Sequence, residues 1–330
     1  MTGKFITAIL AIWLTILTGL GINHTGATLV KPADSTQFKA SGDWKLTFED
    51  NFDGDTFDHT KWHYGYKEEG VRRGGYWVDD AISVKDGNLI IKTDYRKDGK
   101  FGAGWYTGAI ETSKSSYDDK TEAEINKDYK GFSGKYGYYE VRCKVPKAIG
   151  IWSAFWLMPD NNFKNDTFGT GKDGAEIDVF ESPYLYAKTY KESIAHAVHI
   201  DGYGEELKSS GSDMQFVKGL YDEFHTFALE WNETEYIFYV DGMQTWKNSK
   251  TVKPKDVDKS GNPYDTVAEV MEYMILSVEV GGSTIDGVVT PGKTLDENKQ
   301  QVTFWSGDAS LNDTEKSYDF IVDYVKVYQK

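Results

Sequence analysis

Three carboxylates within six residues give this chain its clearest chemical signal. They are Glu176, Asp178 and Glu181 in KDGAEIDVFESPY. Ile177, Val179 and Phe180 separate them, so the segment otherwise reads as a buried strand. A carboxylate facing an apolar environment is costly unless it is paired or used. Side chains alternate along a strand, which puts Glu176 and Asp178 on one face. Glu181 would point to the other face unless one extra residue, a β-bulge at Val179-Phe180, brings it back. The two glutamate Cα atoms would then stand roughly 13 Å apart at about 3.3 Å per step. Side chains leaning inward could bring the carboxyls to about 5–5.5 Å, the spacing of a retaining glycosidase. One carboxylate would attack the anomeric carbon and the other would protonate the leaving oxygen. Asp178 would hold the nucleophile and separate the two pKa values. A calcium site and a solvated acidic strand are the competing readings of the bare pattern. Calcium favours loop carbonyls, and a solvated strand has no need of interleaved Ile, Val and Phe.

The elements that must position these acids read as β almost throughout. AISVKDGNLIIKT is a hairpin around Asp86-Gly87-Asn88, and GKYGYYEVRCKV, FHTFALEW, YIFYVDG, EYMILSVEV and DFIVDYVKVYQ are strands. PYDTVAEVMEY is the one stretch compatible with a short helix. Many strands separated by turn signals imply an all-β sandwich. Long Gly-, Asp- and Ser-rich connections at 64–79, 161–174, 201–222, 247–266 and 281–317 are where binding sites are expected.

Residues 1–27 read as a secretory signal peptide, with an apolar run from Phe5 to Leu20 and small residues at Thr25-Gly26-Ala27. Residues 28–42 read as a short polar linker, and 43–330 as a single domain. The expected location is therefore extracellular, with no membrane association after cleavage. Cys143 is the only cysteine, so an intrachain disulfide is excluded and the core must supply stability. The net charge of −15 argues against nucleic acid and anionic membranes as partners, and mildly against sulfated glycans. The 10 Trp and 22 Tyr suit a flat, partly apolar ligand such as a sugar chain.

The chain resembles glycoside hydrolase family 16, which includes laminarinases, lichenases and agarases. The resemblance runs through FEDNFDG (48–54), DGNLII (86–91), KYGYYEVRCKVP (135–146), GIWSAFWLMP (150–159), EIDVFE, FHTFALEW (224–231), YIFYVDG (236–242) and VDYVKVYQ (322–329). It covers essentially the whole domain. It implies a concanavalin-like jelly roll of two curved antiparallel sheets with an open cleft. It also implies Glu176 as nucleophile, Asp178 as assisting acid and Glu181 as general acid/base, with no cofactor for catalysis. One structural Ca²⁺ is implied near Asn51, Gly87 and Asp323, although Asn51 stands where the family usually has Glu. By family position Trp152 stacks on a sugar and His199 bonds near the acids.

Trp156 reads as cleft or core, and Tyr76 and Trp77 in RRGGYWVDD as glycan subsites. Trp105 and Trp305 are similar loop aromatics. His196 and His199, three apart, fall on opposite strand faces, and His196 reads equally as a satisfied structural histidine. Glu279, where laminarinase-like members carry an Asn-rich neutral strand, is placed to contact sugar hydroxyls. The expected function is a secreted, monomeric, retaining endo-β-glycanase acting on a neutral polysaccharide, first a β-1,3- or mixed-linked glucan. A β-galactanase or a transglycosylase of the same fold is the alternative. A non-catalytic carbohydrate-binding module is the rival from another class.

Overall fold

The computed structural model describes residues 29–30, 43–65, 68–114, 128–160, 168–183, 191–249 and 265–330. The expected signal peptide lies outside them, as does the expected linker except for Leu29–Val30. That pair adds to a sheet edge in parallel with Gln215–Val217.

Apolar residues alternating with polar ones along many short runs leave each strand one face to bury. The solution is a jelly-roll sandwich of two antiparallel-dominated sheets, one of 10 strands and one of 11. The centre of the first, the cleft sheet, runs in spatial order Ser193–Ile200, Glu176–Ser182, Ile151–Pro159 and Glu272–Val280. The centre of the second, the back sheet, runs Met243–Ser249, Glu235–Val240, His225–Trp231, Gly137–Lys144, Ser317–Gln329 and Asn88–Arg96. The inward residues of both form one core, in which Phe180 of the cleft sheet stacks on Phe227 of the back sheet with centroids 4.2 Å apart. Cys143 is buried in this core, and burial raises its thiol pKa well above the usual range.

The hairpin at Asp86-Gly87 forms as its turn residues dictate, with both at positive φ (53° and 71°) between Ile82–Lys85 and Asn88–Arg96. The short helix does not form over the described part of PYDTVAEVMEY, residues 265–273, whose last two residues begin the strand Glu272–Val280. Its backbone bonds are taken elsewhere: Val267 N–H donates to the Asp265 carboxylate, and Ala268 N–H donates to Tyr236 Oη at 2.7 Å. Val267 and Ala268 are fully buried, so packing overrides the weak helical pattern.

Candidate active site

The acidic strand Glu176–Ser182 carries the bulge its spacing requires. Against Ile151–Pro159, Trp156 pairs with Asp178 and Phe155 with Phe180, which leaves Val179 as the extra residue. Against Ser193–Ile200, Glu176 pairs with His199, Asp178 with Ala197 and Glu181 with Ala195. The register shift turns Glu181 back to the face of the other two acids, while Ile177, Val179 and Phe180 go to the core. Ala154, Ala195 and Ala197 are the small cross-strand neighbours of Glu181 and Asp178, and they leave room above the carboxylates.

All three acids line a cleft of about 510 Å³ across the outer face of this sheet. His199 Nε2 lies 3.2 Å from Asp178 Oδ2 and 3.9 Å from Glu176 Oε1, and its Nδ1 bonds Ser209 Oγ at 2.6 Å. Tyr203 Oη donates to Glu176 Oε2. Burial and the Asp178 charge raise Glu176 to about 7, while His199, Tyr203 and Arg73 hold it back. Burial, then Asp178 and Glu176, push Glu181 well above the carboxylate range, with Arg73 and the Trp152 indole N–H opposing. Burial would lower His199, but its bond to Asp178 and the charges of Glu176 and Asp178 raise it. Two carboxyls with different surroundings are thus available, the arrangement that divides nucleophile from acid.

The aromatic expectations divide. Trp152 and Trp156 both line the cleft, Trp152 edge-on to Trp305 at 5.0 Å and Trp156 with its Nε1 donating to Ser277 Oγ at 3.0 Å. Trp105 does not: it is 1% exposed and packs in the core against Tyr95 and Tyr318. Tyr76 and Trp77 are also buried away from the cleft. Tyr76 stacks on Tyr106 at 4.8 Å, and the Trp77 indole donates to Val278 O at 2.8 Å. The glycines beside them have another purpose. Gly70–Arg72 and Gly75–Trp77 form a hairpin whose Gly74 N–H donates to Val280 O, and a Cβ on Gly74 would meet Gly281 O at 2.5 Å. This close docking delivers Arg72 and Arg73 into the cleft, neither of which the spacing of residues had singled out.

Glu279 faces the cleft as expected, but its carboxylate is engaged. Arg72 donates to Oε1 through Nε at 2.7 Å, and Arg73 donates to Oε2. Glu279 therefore holds two guanidiniums rather than presenting a free acceptor to sugar hydroxyls. Arg73 also lies 5.0 Å over the Trp152 ring and Arg72 4.7 Å over the Trp77 ring. Enclosure in the cleft and the neighbouring Arg72 charge push Arg73 down to about 10, so it stays charged at neutral pH.

The expected calcium ligands converge, but the one carboxylate among them is engaged by a cation. The register brings Asn51, one residue beyond the Asp50–Val325 pair, and Gly87, two before the Leu89–Val322 pair, to the stretch of the last strand that holds Asp323. Asp323 Oδ2, however, is 2.5 Å from Arg142 Nη1. The neighbouring Asp50 is turned inward, accepting from Phe52 N–H and the Trp62 indole, both at 2.9 Å. The Asp323 carboxylate is thus already paired with a cation, which competes with any calcium ion for that oxygen. Among the described residues, Glu176, Asp178 and His199 are the group close enough to ligate a metal, and they belong to the cleft.

Comparison with known proteins places these features in a family. The family model described as "Beta-porphyranase A-D, GH16 domain" matches residues 44–330. The glucan endo-1,3-beta-glucosidase A1 of Niallia circulans is 28% identical over 263 residues, 74% of this chain, and the chain spans 35% of that protein's length. A beta-1,3-glucan-binding protein of Penaeus monodon is 25% identical, covering 94% of this chain and 96% of that one. Among solved structures, the laminarinase catalytic domain of Thermotoga petrophila superposes with a TM-score of 0.59 at 22% identity, covering 87% of this chain and 98% of that chain. The relatives include both enzymes and a binding protein, so the three acids converging in the cleft bear on the choice. The chain belongs to glycoside hydrolase family 16, a family of endo-acting glycoside hydrolases, through a domain of the beta-porphyranase A–D type.

Proposed function

We propose that the protein is a retaining endo-β-glycanase whose substrate is a porphyran-type galactan carrying anionic sulfate groups. The observation that carries the substrate reading is the pair Arg72 and Arg73, two guanidiniums that line the cleft and share the single carboxylate of Glu279 as their ion-pair partner. The match of residues 44–330 to a porphyranase domain agrees with it. The net charge of −15 disfavours a polyanion at long range. Salt screens that repulsion beyond about 10 Å, whereas guanidiniums inside the cleft meet the substrate directly.

In this reading Glu176 attacks the anomeric carbon from below the sugar ring, and Glu181 gives its proton to the departing glycosidic oxygen. Burial and the charges of Asp178 and Glu176 raise Glu181 and suit it to hold that proton, and the Tyr203 hydroxyl on Glu176 suits that residue to ionise. Water then attacks the anomeric carbon of the glycosyl–Glu176 ester as Glu181 takes its proton, which frees the Glu176 carboxylate and releases the sugar with its configuration retained. Trp152 and Trp156 offer apolar faces to the sugar rings. Secretion belongs to the same proposal, supported by the apolar run Phe5–Leu20.

A second reading keeps the mechanism and takes a neutral β-1,3- or mixed-linked glucan. It rests on the named activity of the Niallia relative and on Glu279 drawing charge from both arginines. Product analysis on porphyran, agarose, laminarin and mixed-linkage glucan separates the two, with Glu176→Gln as control. Oligosaccharides from porphyran, absent with the variant, are expected. Release from laminarin or mixed-linkage glucan alone would select the second reading. Binding without release by either form would leave a carbohydrate-binding protein.

A further inference from the structure

The bulge in the acidic strand has a partner on the side away from the cleft. Asp178 pairs with Ala197 and Glu181 with Ala195, so Val179 and Phe180 together oppose the single residue His196. Val179 has no register partner in the strand on the other flank either. A buried carbonyl displaced from a ladder needs another donor. His196 Nδ1 lies 2.6 Å from Val179 O. A carbonyl oxygen only accepts, so Nδ1 carries the proton. The other ring nitrogen, Nε2, is 2.8 Å from Thr245 Oγ1, on strand Met243–Ser249 of the back sheet. In a neutral ring that nitrogen accepts from the threonine hydroxyl, whose alternative acceptor, Phe238 O, is farther at 3.2 Å.

The imidazole is held rigidly. It is fully buried, and its ring lies 4.8 Å from Phe238 and parallel to Trp246 at 6.4 Å. Its backbone N–H donates to Ser212 Oγ at 3.0 Å, and its carbonyl accepts from Ser212 N–H at 2.9 Å. Burial lowers its pKa to about 4, so the ring stays neutral at the pH where a carboxylate pair works.

We propose that His196 is a positioning residue for catalysis, pinning the bulge carbonyl of Val179 to Thr245 of the back sheet and so fixing Glu181 relative to Glu176. This rests on the reading of Glu176 and Glu181 as the reacting pair. Without the extra residue the strand would turn Glu181 into the core. With the extra residue loosely held, the two carboxyls would wander relative to each other, and displacement of about 1 Å in a catalytic group costs on the order of 100-fold in rate.

The test pairs two variants with a spectroscopic measurement on the full chain. His196→Leu keeps ring-like volume without a donor, and His196→Gln restores an N–H donor. The Leu variant is expected to lose roughly 10- to 100-fold in kcat with KM held within about threefold, and the Gln variant to recover most of that loss. A folded Leu variant with unchanged kcat would overturn the clamp, and so would a loss that Gln does not recover. Imidazole ¹⁵N spectra of the unmutated protein test it even if the Leu variant fails to fold. The Nδ1–H tautomer with an accepting Nε2 is expected, and an Nε2–H tautomer at His196 would overturn it. Full activity in Glu176→Gln would refute the catalytic reading instead, whatever the tautomer.

Discussion

Tyr203 donates its hydroxyl proton to the Glu176 carboxylate while remaining 38% exposed at the cleft surface. A loop residue 27 positions along the chain thus stabilises the charged form of the proposed nucleophile. Glu176 must be ionised to attack, so activity rises with pH through its pKa of about 7. Tyr203→Phe removes a group that lowers this pKa. The acid limb of the kcat/KM profile is therefore expected to move to higher pH, with activity at pH 6 falling about three- to tenfold. An acid limb that stays in place would show that another group sets it.

The roles of the two glutamates are separable by chemical rescue. Glu176→Ala and Glu181→Ala should each lose about 10³-fold or more in turnover. With azide and a substrate carrying a good leaving group, the Glu181 variant should yield the β-azide from the intact covalent route. The Glu176 variant should yield the inverted α-azide. NMR of the products distinguishes them, and the opposite pattern would exchange the assignments.

Arg73 joins Glu279, and its guanidinium lies over Trp152. Arg73→Gln should raise KM for a sulfated oligosaccharide about tenfold and flatten the dependence of KM on salt. A neutral oligosaccharide should show little change. Arg73→Lys should recover only part of the loss, because an ammonium cannot match the planar fork. Equal effects on sulfated and neutral chains would count against sulfate recognition.

The two tryptophan classes predict different phenotypes. Trp105→Ala, in the core, should cost about 3–5 kcal/mol of stability with KM unchanged in the folded fraction. Trp152→Ala, in the cleft, should weaken substrate binding about tenfold or more and cost less stability. Denaturant unfolding and steady-state kinetics on both variants check this.

Because Asp323 is paired with Arg142, chelation should leave the thermal midpoint unchanged. A rise of several degrees on adding Ca²⁺ to the chelated protein would show that the arginine yields to the ion.

Much of the site was legible from local pattern. E-x-D-x-x-E can present three acids to one face only through a bulge, and strand alternation fixes which neighbours go to the core. The turn at Asp86-Gly87 follows from its own residue types, whereas the places of Trp152 and His199 on the cleft face follow from the family resemblance. Where loops are concerned, composition misled: Tyr76, Trp77 and Trp105 are aromatics in glycine-flanked segments, yet they pack inward. The docking of Gly74 against Val280-Gly281 is what turns that hairpin's arginines to the cleft. Arg72 and Glu279 are 207 residues apart in the chain, and Tyr203 reaches Glu176 from a loop of its own. The sequence by itself determined the strands, the bulge and the acids, because period and spacing are local. Only the tertiary structure decided which charges surround those acids, because contacts between distant loops leave no period in the chain.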